Sequence, residues 1–113
     1  MPGHNTRSGT SAHRAITGRT ENQLPREGAL ATELNEAFAA QVPPVCRETG
    51  VDIERQLNPH GGAIVLGHPF GVTGARIMTT LINGLQSQEK SIGLETMCAA
   101  GGMAMAMIIE RLA

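Results

Sequence analysis

The 113-residue sequence predicts a layered α/β domain in which helices cover a mixed sheet. Two patterns indicate this fold: one apolar stripe with helical spacing, and two apolar runs joined by a short glycine-containing turn. The composition agrees, since hydrophobic residues make up 41% of the chain, close to what a small packed core requires. The length allows one domain at most.

The first 28 residues differ from the rest of the chain. They are rich in Gly, Ser, Thr, Asn and Arg, and their few hydrophobic residues follow no period. Four arginines and two glutamates give this part a net charge of +2, whereas residues 29–113 carry −3. The pattern fits neither a signal peptide nor a transit peptide. We therefore expect a disordered lead-in over residues 1–28 and the domain over residues 29–113.

The first readable element begins extended and then turns helical within Ala31–Ala40. Asn35 is available as an N-cap, and Glu36 would lie in the first turn, where an acidic side chain suits the helix dipole. We expect the helix to continue to about Thr49 and to end at Gly50.

Two prolines oppose that helix. An interior proline removes a backbone hydrogen bond and clashes with the preceding turn, at a cost of roughly 3 kcal/mol. Pro43 and Pro44 fall inside the predicted helix, so we expect a kink or a late start there.

The middle of the chain combines a glycine-rich loop with the strongest helical signal. In Gly61–Gly74, five glycines and a proline surround the apolar run Ala63–Leu66, which we interpret as a buried segment feeding a tight loop. Apolar residues then recur at steps of three and four, which predicts a helix of about four turns. These residues are Ala75, Met78, Leu81, Ile82 and Leu85.

The last part of the chain predicts two strands, Ser91–Cys98 and Met103–Leu112, joined by a turn at Ala99–Gly102. The second strand is apolar on both faces, which is typical of a central strand in a covered sheet. A helix over such a sheet gives the layered α/β arrangement.

Charge and composition exclude several classes of function. The net charge is −1, from 9 basic and 10 acidic residues, so no strong field attracts nucleic acid or an anionic membrane. Two Phe, no Trp and no Tyr leave no platform for base stacking and no aromatic belt. The longest apolar runs are too short to span a bilayer. We expect neither a nucleic-acid partner nor a membrane partner.

The cysteines and histidines suggest neither a disulfide nor a metal site. Cys46 and Cys98 occur without a secretory signal, so we expect free thiols and a reduced cytoplasmic setting. The four histidines match no familiar zinc spacing. We therefore expect no metal ligands.

Two residues remain as candidates for chemistry. His68 stands between Gly67 and Pro69 on a stiff loop, where a group that titrates near neutral pH can serve as a general base. Cys98 ends a strand just before a glycine pair, whose N–H groups would favour a thiolate or an oxyanion. The two residues are 30 positions apart, and spacing alone leaves two interpretations. One is a His–Cys acid–base site, and the other is a loop histidine with an inert buried thiol.

Three motifs together resemble one family. ELNEAFA at 33–39, NPHGGAIVLGHPFGVTGAR at 58–76 and MCAAGGMAMAMIIERL at 97–112 resemble, in order and spacing, the C-terminal end of a thiolase. The resemblance covers about residues 31–113, and it implies an incomplete thiolase-like C-terminal half domain.

The resemblance implies acyl-CoA chemistry. Thiolases cleave 3-ketoacyl-CoA with free CoA, or run the reverse condensation, through an acyl-cysteine. On this basis His68 activates the nucleophile and helps polarise the thioester carbonyl. Cys98 moves the proton on and off the α-carbon, and Asn35 orients a water that completes an oxyanion hole. Coenzyme A enters as a substrate, and no permanently bound cofactor is implied.

The turn after the second cysteine departs from the family pattern. The family usually has Cys-x-Gly there, and the glycine N–H helps bind the thioester oxygen, whereas this chain has Ala100 followed by Gly101. If the position needs a positive φ, Ala100 is strained; if it does not, the N–H is kept. Gly67 supports the backbone before His68. His60 is interpreted as a loop-packing residue.

The half that carries the acylated cysteine in the family has no counterpart here. Cys46 does not replace that nucleophile, because it follows Pro43 and Pro44 in the first predicted helix. One hypothesis is a C-terminal half that is active only with a separate N-terminal half or as part of a longer enzyme. The alternative is a non-catalytic remnant or interaction module with idle motifs. A half domain should expose the face that its sister half covers, which also predicts self-association.

Overall fold

The computed structural model describes residues 30–112, which form a three-stranded mixed sheet with helices on both faces. The predicted lead-in at residues 1–28 lies outside the described residues. The strands are β1 (Leu30–Leu34), β2 (Ile92–Cys98) and β3 (Ala104–Glu110). β2 is central, parallel to β1 and antiparallel to β3. The layered α/β class is confirmed.

Three helices accompany the sheet: α1 (Val42–Thr49), α2 (Ala63–Leu66) and α3 (Thr73–Ser87). Single 3-10 turns lie at Ala39–Gln41 and Ala100–Gly102. Within residues 30–112 we find no helix long and apolar enough to cross a membrane.

The core has one layer on each face of the sheet. Successive strand residues point to opposite faces, so each strand contributes to both layers. The α3 layer contains Ala31, Leu81 and Leu85, with Ile109 packed against them. The α1 layer consists of Leu34, Val45, Cys46, Leu57 and Leu94. The short chain thus buries two small clusters rather than one large one.

Helix α1 starts late, as its prolines predict. Pro43 and Pro44 lie in its first turn, where the missing N–H groups would have no intrahelical acceptor. The helix ends where predicted, because Gly50 adopts a left-handed φ of 74° and its N–H donates to the Cys46 carbonyl at 2.9 Å. The N-cap prediction for Asn35 is wrong. Asn35 follows β1 directly, and Gln41 is the N-cap.

The prediction of a buried segment at Ala63–Leu66 is also wrong. These residues form one helical turn whose apolar side chains are exposed: Ile64, Val65 and Leu66. Gly61 and Gly67, both with φ near 90°, turn the chain on either side of the segment. The segment therefore pairs with no strand and lies outside the two core layers.

Helix α3 confirms the predicted four-turn helix, with 15 residues. Its buried face is rotated from the predicted stripe. Leu81 and Leu85 are buried as expected, but Ala75 and Ile82 are exposed, and Ile77 is buried instead. Leu81 packs over Gly93 of β2, where an added Cβ would lie only 2.8–3.0 Å from Leu81 carbons.

The strand bounds were predicted to within two residues, but the place of β3 in the sheet is wrong. β3 is an edge strand, because β2 pairs with both other strands. Its large apolar side chains are largely exposed, including Met105, Met107 and Ile108. Apolar residues on both faces therefore do not mark a central strand here.

The opposite edge of the sheet is extended by an irregular segment around Asn58. The Thr32 N–H donates to the Gln56 carbonyl at 2.9 Å, and the Asn58 N–H donates to the Thr32 carbonyl at 2.8 Å. The Asn58 amide then continues the ladder, since Oδ1 accepts from the Leu34 N–H at 2.8 Å and Nδ2 donates to the Leu34 carbonyl at 3.0 Å. The Asn58 amide thereby satisfies the backbone groups of Leu34 that would otherwise pair with a neighbouring strand.

Candidate active site

Asn35 lies at the carboxyl end of β1. Its N–H donates to the Thr96 carbonyl of β2 at 2.9 Å, which fixes it beside the last residues of that strand. The residue is 5% exposed, and its side-chain Oδ1 has no hydrogen-bond partner among residues 30–112. A buried carbonyl oxygen without a partner loses free energy, so this atom is suited to receive a donor from a ligand or a water.

Cys98 is the last residue of β2 and is a half-buried free thiol. Its neighbour Met97 points towards α3, where the Met97 Cε lies 3.2 Å from an ideal Cβ built on Gly74. Strand alternation therefore places Cys98 on the face of the sheet that α1 covers.

The turn after Cys98 tolerates alanine at its first position. Ala100 lies in the exposed 3-10 turn, and it is not among the residues with positive φ. The left-handed conformations fall on Gly101 and Gly102, with φ of 68° and 75°. The substitution at Ala100 thus adds no backbone strain and keeps its N–H. Gly67, with φ of 89°, makes the corresponding turn before His68.

His68 is exposed, and a single hydrogen bond orients its ring. Thr73 Oγ1, in the first turn of α3, lies 2.7 Å from His68 Nδ1. Phe70 meets the ring edge-on, with centroids 6.3 Å apart, and is itself almost fully exposed. Helix α3 thus holds one nitrogen of the imidazole, Nδ1, and the other, Nε2, has no hydrogen bond to the described residues.

The structure brings the three predicted residues to one end of the sheet, but not into mutual contact. Asn35 follows β1 directly and Cys98 ends the neighbouring parallel strand β2, so both residues lie at the same end of the sheet. His68 is held near that end by its hydrogen bond to Thr73. The residue after Thr73, Gly74, packs on Met97, which precedes Cys98. Within residues 30–112, no hydrogen bond joins the side chains of Asn35, His68 and Cys98 to one another.

Two further polar residues shape this end, and the sequence analysis did not predict their role. The Glu36 carboxylate accepts from Asn58 Nδ2 at 2.9 Å and from the Ile64 N–H at 2.9 Å. It therefore ties the segment after β1 to the start of α2 and lies against Gly62, where an added Cβ would clash with it. The signal was present, since Glu36 and Asn58 both lie within the quoted motifs. Thr73 was missed in the same way.

Buried charges lie deeper, between the sheet and α3. Glu33 and Glu95 are direct partners in the register of β1 and β2, and they are 1% and 7% exposed. Burial raises the pKa of Glu33 to about 7; the Arg76 guanidinium opposes this rise and the Glu36 carboxylate adds to it. Burial also raises the pKa of Glu95. The Arg76 guanidinium is buried without a hydrogen-bond partner among the described residues.

Cys46 and His60 pack against other parts of the fold, as residues with structural roles do. Cys46 is a buried free thiol inside α1, and burial raises the pKa of that thiol, as expected for an inert core residue. The ring of His60 lies close to Gly84 of α3, as a loop-packing residue would. In the part of the chain that the structure describes, no three His, Cys, Asp or Glu side chains are grouped to hold a metal ion.

Comparisons with known proteins agree with this architecture. The chain is 52% identical over 80 residues to acetyl-CoA acetyltransferase of Escherichia coli K12, covering 71% of this chain and 20% of that protein. It is 46% identical over 99 residues to the 3-ketoacyl-CoA thiolase of Shewanella denitrificans, covering 81% of this chain and 26% of the relative. The crystal structure of Bacillus anthracis acetyl-CoA acetyltransferase matches with a TM-score of 0.68 and 43% identity, over 73% of this chain and 21% of that one.

The fold and the site together define the class: a layered α/β domain with a histidine loop and a cysteine turn at one end of its sheet. The family model described as thiolase, C-terminal domain, matches residues 17–111. The chain therefore belongs to the thiolase family. It spans only about a fifth to a quarter of the length of the relatives described above.

Proposed function

We propose that this chain supplies the C-terminal part of the active site of a thiolase-type acyltransferase that acts on acyl-CoA. The observation that carries the proposal is the placement of Asn35, His68 and Cys98 at one end of the sheet, on three different elements. An acyl-cysteine would come from an N-terminal half, which would lie within the 74–80% of each relative's length that this chain does not cover.

His68 would take the proton from the nucleophilic thiol, and the resulting N–H would donate a hydrogen bond to the thioester oxygen until the proton returns to that sulfur. The CoA sulfur that leaves on acylation would take its proton from Cys98. Cys98 would accept the proton from the α-carbon of the second acyl group while the new carbon–carbon bond forms and the acyl-cysteine bond breaks. In thiolysis the same proton returns to the leaving α-carbon. The buried Oδ1 of Asn35 would hold the water that completes the oxyanion hole.

The geometry suggests where a substrate would lie. Cys98 belongs to the α1 face of β2, whereas His68 is attached to the start of α3 on the other face. A substrate in contact with both groups would cross the end of β2, next to the exposed turn Ala100–Gly102.

Complementation tests this function. The full chain is mixed with the Escherichia coli acetyl-CoA acetyltransferase lacking only the segment that this chain matches, so that its N-terminal half is included, and CoA-dependent loss of acetoacetyl-CoA is measured. We expect no turnover by the chain alone and turnover in the mixture. Cys98→Ala should lower that turnover by about 100-fold or more, since a positioned acid–base group contributes 10²–10⁴-fold. Cys46→Ala is the matched control, because Cys46 is a thiol in the core of the same chain.

Two outcomes would contradict the proposal. If the two halves form a complex that has no activity, the chain is a non-catalytic remnant or interaction module. If the isolated chain turns over the substrate, the requirement for an N-terminal half is wrong.

A further inference from the structure

The hydrogen bond between Thr73 and His68 joins a buried anchor to an exposed ring. Thr73 is 8% exposed at the start of α3, while His68 is exposed on the preceding loop. The bond from Oγ1 to Nδ1 is short, at 2.7 Å. No other side chain among residues 30–112 forms a hydrogen bond to this imidazole. Among the described residues, this hydroxyl group therefore supplies the one hydrogen bond that orients the ring.

We propose that Thr73 is a positioning residue that accepts a hydrogen bond from His68 Nδ1–H and thereby makes Nε2 the nitrogen that exchanges protons. The proposal rests on the proposed acyl transfer for the use of that proton. The two nitrogens of a neutral imidazole are one donor and one acceptor. If Nδ1 carries the hydrogen, Nε2 presents its lone pair.

A hydroxyl group suits a ring that must both take and return a proton. Its oxygen accepts from Nδ1–H whether Nε2 is free or protonated, so the ring keeps one orientation through the cycle. Being uncharged, it does not stabilise the imidazolium form as strongly as a carboxylate would. The ring can therefore release the proton from Nε2 again, as a group that takes a proton from a thiol and later returns it has to do.

The anchor is itself well placed relative to the cysteine turn. Thr73 precedes Gly74, whose backbone packs on the Met97 side chain next to Cys98. Gly74 has no side chain to hold α3 away from this strand. Thr73 bonds to the imidazole and the next residue, Gly74, packs on Met97 of β2. These two residues of α3 therefore fix the position of the imidazole relative to β2.

Nitrogen NMR tests the proposal on the full chain without any activity. Two-bond ¹H–¹⁵N spectra assign the tautomer of each histidine across pH, in the wild type, in Thr73→Val and in Thr73→Ser. We expect the Nδ1–H tautomer of His68 to predominate in the wild type and in Thr73→Ser. In Thr73→Val, which keeps the shape of the side chain, this preference should be lost. The His60 signals should be the same in all three proteins, which controls for folding.

Either of two spectra would overturn the proposal: a wild-type His68 that carries its hydrogen on Nε2, or a tautomer ratio that Thr73→Val leaves unchanged with His60 signals intact. In the complemented enzyme, Thr73→Val should lower kcat by about 10–100-fold with little change in KM, and Thr73→Ser should restore it. If the wild-type mixture is inactive while the NMR result holds, the proposed function fails and the positioning by Thr73 stands. If the mixture is active and Thr73→Val changes neither the tautomer nor kcat, only the positioning fails.

Discussion

Replacing Glu33 by glutamine should remove most of the pH dependence of folding. The pKa of this carboxyl rises from an ordinary 4.5 to about 7 in the folded chain. The folded state therefore binds the proton more tightly than the unfolded state does. By linkage, the stabilisation that protonated Glu33 contributes is fully present below pH 4.5 and is lost as the pH rises through about 7. Each unit of pKa difference corresponds to 1.36 kcal/mol.

The size of the effect follows from these two pKa values. The full loss of stability, reached at high pH, is about 3 kcal/mol, and the part of this loss that falls between pH 5 and pH 8 is about 2.5 kcal/mol. The wild-type chain should thus be more stable at pH 5 than at pH 8. Glu33→Gln carries no titrating group at this position and should gain about this amount at pH 8. Glu95, whose pKa burial also raises, leaves a smaller slope in the same direction.

Urea unfolding of the full chain at pH 5 and pH 8 measures this difference, and both values lie away from the isoelectric point near 6.4. For a urea m-value of about 1–2 kcal/mol/M, the wild-type midpoint should fall by about 1.2–2.5 M between the two pH values. Glu54→Gln is the control, because Glu54 is an exposed carboxylate. An unchanged wild-type midpoint, or a Glu33→Gln protein that keeps the full wild-type shift, would refute the reasoning.

Two further substitutions and one labelling experiment have defined outcomes. Gly93→Ala should destabilise the chain by about 1–3 kcal/mol in urea unfolding, because its Cβ would lie 2.8–3.0 Å from Leu81 carbons; no change would show that α3 can shift. Asn58→Ala should cost about 2–4 kcal/mol by the same measurement, since it removes three side-chain hydrogen bonds at the end of β1; a loss below 1 kcal/mol would contradict that role. Iodoacetamide should label Cys98 before the buried Cys46 under native conditions, read by peptide mass spectrometry; equal rates would argue against the burial described for α1.

Local signals predicted the elements well. Spacing of three and four residues gave the position and length of α3, and Gly50 marked the end of α1, because each of these depends on neighbours in the sequence. The motifs also identified three residues that the fold brings to the same end of the sheet. His68 and Cys98 were candidates from their local context, but only the family resemblance implied that they act together, since a spacing of 30 residues between them carries no distance information.

Long-range choices could not be predicted from the same patterns. Whether β3 is central or at an edge depends on which strands pair with β2, and apolar residues on both of its faces fit either place. The partner of His68 was missed because a threonine at a helix start is ordinarily read as a cap or a surface residue. The Asn58 side chain makes the hydrogen bonds to Leu34 that a neighbouring strand would make. The spacing of apolar residues in a strand or a helix gives no sign of such side-chain hydrogen bonds.

The parallel pairing of β1 with β2 also sets an order of assembly. It joins Leu30 to Ile92, 62 positions apart, whereas the hairpin of β2 and β3 joins near neighbours. Closing a long loop costs entropy before its contacts form, so distant pairings form late in folding. We expect the hairpin and α3 to assemble first and β1 to dock last. Because Asn35 follows β1 directly, its amide would be the last of the three candidate groups to reach its place.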